Sequence, residues 1–227
     1  MAGPIFTPIT PVYACDEDIA IRSYGAFGVL VPTSNTLAFG TDGVILSADP
    51  WTLTSATVDF EAQGLKVGHV VLLTKPTTTF RGAGRYFAVG SVMGNSVTLR
   101  LCGKTDGIGQ PPAPSGGLTG VEFRCSTFDP EIESTSYQIN QEFGLRPGEP
   151  DTIADLRVLN QATVLTVLHR AYVFAPITVA QEYAQRLNEV SVAKDSAIEQ
   201  VTIRWGSADG TVETAPSSFL FGRLERA

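Results

Sequence analysis

Cations, sulfur and long apolar runs are all scarce in this chain, and each shortage removes a class of function. Of 227 residues, 16 are Lys or Arg against 23 Asp or Glu, a formal charge of -7. Binding a phosphate backbone strongly requires clustered Lys and Arg to displace counterions, so a basic DNA-binding face is excluded. The three cysteines, Cys15, Cys102 and Cys125, cannot all pair, none lies in a C-x-x-C motif, and each sits in or beside an apolar run. Buried free thiols are expected. His69 opens the run His-Val-Val-Leu-Leu73 and His169 interrupts a helical stretch, so both read as packed or rim residues with no metal partners nearby in sequence. No window approaches the roughly 18 uncharged apolar residues of a membrane span. The start, Met1-Ala-Gly-Pro-Ile-Phe-Thr-Pro8, lacks the basic region of a secretory signal. The expectation is a protein made in a cytoplasm that leaves it only as part of a particle.

Catalytic motifs are missing as well. There is no G-x-S-x-G elbow, H-E-x-x-H pair or P-loop, and Gly82-x-Gly84 runs into Arg85-Tyr-Phe-Ala88, a strand pattern without the helix amides that hold phosphate. Glu131 with Glu133, and Asp151 with Asp155, are carboxylate pairs, but glutamates two apart on a helix point to different faces and acids in a first helical turn are ordinary dipole partners. No catalytic, metal or cofactor-binding residue is assigned, no cofactor is expected, and the chain is not read as an enzyme.

What is present is a change of pattern along the chain. Prolines at 4, 8 and 11 give residues 1–15 the character of an extended arm. Asp16-Glu-Asp18 then opens a short helical stripe, weakened by Gly25 and Gly28. From about Thr41 the runs become short, β-branched and aromatic: 43–47, 57–60, 69–75, 85–93, 96–101 and 120–125, with Gly94-Asn95 as a two-residue hairpin turn. Six such strands predict a small barrel or sandwich, SH3-like or OB-like, with Trp51, Phe60, Phe80, Tyr86, Phe87 and Phe123 filling it and the loop around Gln110-Pro-Pro-Ala-Pro114 protruding.

Helices resume at Asp129-Pro130, a cap followed by a first-turn proline, and stop at Gly144. A second helix over about 153–175 is apolar on most sides, which marks the most enclosed helix. A third follows the capping-box spacing Thr178-x-x-Gln181 to about Gln200. The tail alternates over Val201-Thr-Ile-Arg-Trp205, turns at Asp209-Gly210 and ends in Phe219-Leu-Phe-Gly-Arg-Leu224, apolar and extended. Charge divides with the pattern. Residues 40–126 hold seven basic and six acidic side chains, whereas 127–203 hold five and eleven. The acidic excess fits either a solvated helical face or a surface that DNA passes without sticking.

The expected fold class is therefore α+β: an antiparallel helical bundle with an inserted small β-barrel and extended terminal arms. Its parts are an N-terminal arm (1–15), a helical domain (16–40 plus 127–203), the barrel (41–126) and a C-terminal arm (204–227). The order of a helix, an inserted β module, Asp-Pro-Glu-Ile-Glu133, then Asp155-Leu-Arg-x-Leu-x-x-Ala-Thr-Val-Leu-Thr-Val-Leu-His-Arg-Ala-Tyr172, a further helix and Val201-x-Ile-Arg-Trp-Gly206 resembles the head-to-tail connector (adaptor) proteins of tailed bacteriophages. The large β insertion departs from the smallest members of that family.

The resemblance implies a structural virion protein of the neck, assembled in the bacterial host cytoplasm as a ring of twelve copies between portal and tail. A portal protein, a tail or stopper protein and further copies of the chain would be its partners, with double-stranded DNA passing non-specifically and no membrane involved. Arg204, Trp205, Phe219, Leu220, Phe221, Arg223 and Leu224 would then meet the portal or a neighbouring subunit. Ile5 and Phe6 would anchor the N-terminal arm, and Glu131, Glu133, Asp151 and Asp155 would face the channel. Competing readings are a stopper, tail-tube, tail-terminating or capsid-decorating protein, and a carbohydrate- or nucleic-acid-binding module built on the barrel.

Overall fold

The computed structural model describes residues 12–23, 25–46, 51–75, 84–103, 117–143, 156–175, 184–206 and 212–216. It is an α+β chain whose described residues form five α-helices and a closed barrel of six antiparallel strands. Contacts divide it into two compact units, Cys15–Asp129 and Met1–Ala14 with Pro130–Ala227. The chain thus crosses between units twice, at Ala14–Cys15 and at Asp129–Pro130. This division places residues 15–40 with the barrel, where the sequence grouped 16–40 with the later helices.

The barrel strands are β1 (Thr36–Leu46), β2 (Trp51–Thr54), β3 (Val70–Lys75), β4 (Arg85–Met93), β5 (Ser96–Leu101) and β6 (Leu118–Ser126), ordered β1-β2-β5-β4-β3-β6 and closed by β1 against β6. Side chains on a strand alternate, so one set from every strand converges inward. Trp51, Phe60, Phe87 and Phe123, read from sequence as filling, are all essentially without solvent contact. Tyr86 differs. It stands half-buried on the outside, where its hydroxyl accepts the Gly28 N–H at 2.9 Å.

Two strands differ from the sequence expectation. The first begins at Thr36 rather than Gly43, because Gly40, Asp42 and Gly43 weaken its β signal while serving the closure. The register of β1 on β6 shifts between Gly40 and Gly43, and a Cβ on Gly40 would come within 2.5 Å of the Phe123 ring. The second strand is Trp51–Thr54, not 57–60. Backbone N–H groups of Ala56 and Thr57 are captured by the Asp42 carboxylate, and that of Val58 by the Ser55 hydroxyl, so this segment turns instead of pairing. Gly94 adopts φ +53°, as the hairpin reading requires.

Two short helices belong to the same unit: α1 (Asp16–Arg22) and α2 (Phe27–Leu30), separated at Gly25, whose φ is +89°. Phe27 packs edge-on against both Tyr86 and Phe128, with ring centroids 5.7 and 5.2 Å apart.

In the other unit α3 (Asp129–Glu142), α4 (Leu156–Phe174) and α5 (Ala184–Glu199) share one apolar core. Ile139, Phe143, Leu159, Leu165, Ala197 and Val201 meet there. As its all-round apolar sequence implies, α4 buries the most, from Leu159 to Tyr172; α5 fully buries only Ala197. Tyr13 seals this core from the N-terminal side. Its hydroxyl donates to Asn140 Oδ1 at 2.5 Å, its N–H to the Ser136 hydroxyl, and its carbonyl accepts from Asn160. The last residues of the expected N-terminal arm therefore fold onto their own chain. Beyond α5, β7 (Thr202–Gly206) and β8 (Val212–Pro216) form a separate two-stranded antiparallel sheet. The first part of the expected C-terminal arm is thus a hairpin. The spacing Thr178 to Gln181 and the loop around Gln110 to Pro114 lie outside the described residues.

Candidate functional site

Among the described residues the densest group of buried ionisable side chains lies where α1, the approach to β3 and the start of α3 converge. The first turn of α1 is capped by its own third residue, since Asp18 Oδ2 reaches back to accept the Cys15 N–H at 3.0 Å. That turn presents Asp16 and Glu17 to the interior, at 0% and 7% exposure. Such burial needs partners. Glu17 finds them in a two-pronged ion pair with Arg100 and in the Gly103 N–H at 2.8 Å. Its own N–H donates to the Gly68 carbonyl at 3.0 Å, which ties α1 to the turn before β3.

Asp16 is less completely served. Oδ1 accepts the Phe128 N–H at 2.7 Å, while Oδ2 is enclosed and makes no hydrogen bond. Burial pushes its carboxyl up to about 6, against the opposing pull of the Phe128 amide, the nearby Thr127 hydroxyl and His69. Asp129 has the contrary environment. Its Oδ2 takes His69 Nε2 at 3.0 Å and the Lys66 ammonium at 2.6 Å, and these partners hold its carboxyl well below the usual carboxylate range. Two neighbouring aspartates are thus driven apart in acidity, one by enclosure and one by donors.

In the sequence Asp16 reads as a dipole partner, His69 as a packed residue and Asp129 as a cap, and nothing in their spacing joins them. Strand register does. Val70 pairs with Ser126, so His69 is delivered beside Thr127 and, two residues on, Asp129, although 60 positions separate His69 from Asp129. Only closure of the barrel makes the group visible.

One donor atom from each of Asp16, His69 and Asp129 falls within 4.8 Å of the others, a spacing that suits a small metal centre. The orientation of the imidazole does not suit one. Nδ1 accepts the Lys66 N–H at 3.2 Å, so the ring hydrogen sits on Nε2 and is donated to Asp129. A metal on Nε2 would move that hydrogen to Nδ1, where it would face another N–H, whereas a ligating histidine offers its second nitrogen to an acceptor. The Lys66 ammonium already supplies cationic charge to Asp129.

Of the residues singled out from sequence, Glu131 lies in the first turn of α3 and Glu133 just beyond it, half-buried and exposed respectively. Arg204 and Trp205 lie in β7, in register with Thr214 and Glu213. Ile5, Phe6, Asp151, Asp155, Phe219, Leu220, Phe221, Arg223 and Leu224 lie outside the described residues. The three cysteines are free, with Cys125 enclosed in the barrel and its thiol pushed up to about 12 by burial. No described helix is long and apolar enough to cross a membrane. No protein-family model, curated protein or solved structure matches the chain.

Proposed function

We propose that this chain is a structural protein of a tailed-phage neck, forming a ring that joins the portal to the tail and lines the path of the DNA. On this reading α3, α4 and α5 are the connector's antiparallel bundle, the barrel is an SH3-like or OB-like insertion, and the terminal segments make the inter-subunit contacts. The observation that carries it is the hairpin. Among the described residues β7 and β8 pair only with each other. A two-stranded ribbon is marginal in water by itself, and an open strand edge is a template for a strand from another chain. The position of this ribbon, directly after the helix pair, matches the element order in the connector resemblance. The acidic excess over residues 127–203 supports the channel-lining part, because carboxylates repel a polyanion and let it slide.

Native mass spectrometry and electron microscopy of the chain mixed with its cognate portal test the proposal. Rings of twelve copies on the portal are expected, and deletion of residues 207–227 is expected to abolish docking while the thermal unfolding of the barrel is unchanged. Many copies spread over a capsid shell would instead mark a decorating protein. A lone subunit that binds a sugar or oligonucleotide and ignores the portal would overturn the assignment.

A further inference from the structure

The two crossings between the compact units are covalently adjacent to the buried group: Asp16 stands one residue after Cys15, where the barrel unit begins, and Asp129 is its last residue. Asp16 and Phe128, 112 positions apart, join the two crossings directly through the Phe128 N–H and Asp16 Oδ1. We propose that Asp16, His69 and Asp129 form an acid-tightened clasp, which holds together the two points where the chain passes out of the barrel unit and takes up one proton on Asp16 as the pH falls.

The geometry requires a titratable element here. Asp16 is fully enclosed, one of its oxygens has no donor, and a second carboxylate lies close by. An enclosed carboxylate without a donor is unfavourable in its charged form, and a neighbouring negative charge adds to the cost. The charges facing it are taken element by element among the described residues. On the approach to β3, His69 and Lys66 are turned onto Asp129. On α3 it meets Asp129 itself. On its own helix Glu17 is held by Arg100, and Asp18 by the Cys15 N–H and thiol. Among the described residues, the clasp has cations for one carboxylate and none committed to Asp16.

The direction of the response follows from the order of the two affinities for the proton. Opening the clasp exposes Asp16 to water and returns it to its ordinary value, below the value of about 6 that it has when enclosed. The closed form therefore binds more protons than the open one between these values, and acid favours closure. The stabilisation by protonation is complete below the ordinary value and is lost as the pH rises through about 6.

Amide hydrogen exchange at Phe128 in the full-length protein, corrected for intrinsic exchange, reads the clasp. Protection is expected to fall about tenfold between about pH 5 and about pH 7.5 in the wild type, and by less than about twofold in Asp16→Asn, which keeps an Oδ1 acceptor but does not titrate. His69→Gln removes the imidazole that bonds Asp129 and leaves Asp16 in place, and the fall should persist in it. A carbon-13 titration of the Asp16 carboxyl in the unmodified protein, with a midpoint well above the ordinary aspartate value, gives the same answer should a variant fail to fold. A flat wild-type profile, a fall retained in Asp16→Asn, a fall abolished by His69→Gln, or an ordinary Asp16 midpoint would each overturn the clasp.

Discussion

The barrel unit and the helical unit solve burial in opposite ways. In the barrel every strand has two partners, the sheet has no edge, and ring side chains such as Phe60, Phe87 and Phe123 are wholly enclosed. In the helical unit α4 is enclosed, but α5 leaves Val190, Ala193 and Ile198 half-covered and Val192 65% exposed, and the hairpin after it has one pairing among the described residues. One unit is complete within itself. The other, among its described residues, leaves more of its apolar surface in contact with water and carries a ribbon of two strands paired only with each other.

The contrast is most sharply broken by truncating one ring. Phe123→Ala should cost about 3–5 kcal/mol of unfolding free energy in urea, whereas Val190→Ala on the half-covered α5 should cost about 1 kcal/mol or less. Equal losses would show that the two units are packed alike. Next in size is Asp16→Asn, which removes an enclosed charge. Because the folded carboxyl titrates near 6, above its ordinary value, the charged form works against folding above that pH and the handicap disappears once both states are protonated. The variant should be more stable than wild type by about 1–2 kcal/mol near pH 8, and the gain should vanish towards pH 4, as read by denaturation at several pH values. Asp129, held low by His69 and Lys66, has the opposite sign: its contribution is lost only as acid reaches the ordinary carboxylate range and below. A small effect, like that of Val190→Ala, is expected again in the helical unit. Tyr13→Phe deletes the hydroxyl that donates to Asn140 and should cost about 1 kcal/mol, without changing the pH profile set by Asp16.

Much of the fold is written in local signals, and the failures have local reasons too. Gly94-Asn95, Asp129-Pro130 and the long apolar α4 carry their own geometry, so the hairpin, the start of α3 and the most buried helix are legible. The first half of β1 is hidden by Gly40 and Gly43, which suit this strand because a side chain at Gly40 would strike the Phe123 ring and one at Gly43 the Val121 carbonyl and Leu53. The alternation at 57–60 is a true sign of burial, since Phe60 is enclosed, but Asp42 and Ser55 withdraw the backbone from pairing. The buried acid group is not legible in the sequence. Its members are united by the β3–β6 register and by the docking of α1, and neither leaves a periodicity or a spacing.

Cys15, Cys102 and Cys125 all fall within Cys15–Asp129, and the rest of the chain has none. Sulfhydryl chemistry can therefore address one half of the molecule and leave the other unmarked. An alkylating reagent applied during a slow thermal ramp would record the opening of the β-structured half from the inside, at Cys125, while the remainder could loosen, reassemble or bind a neighbour without contributing to the signal.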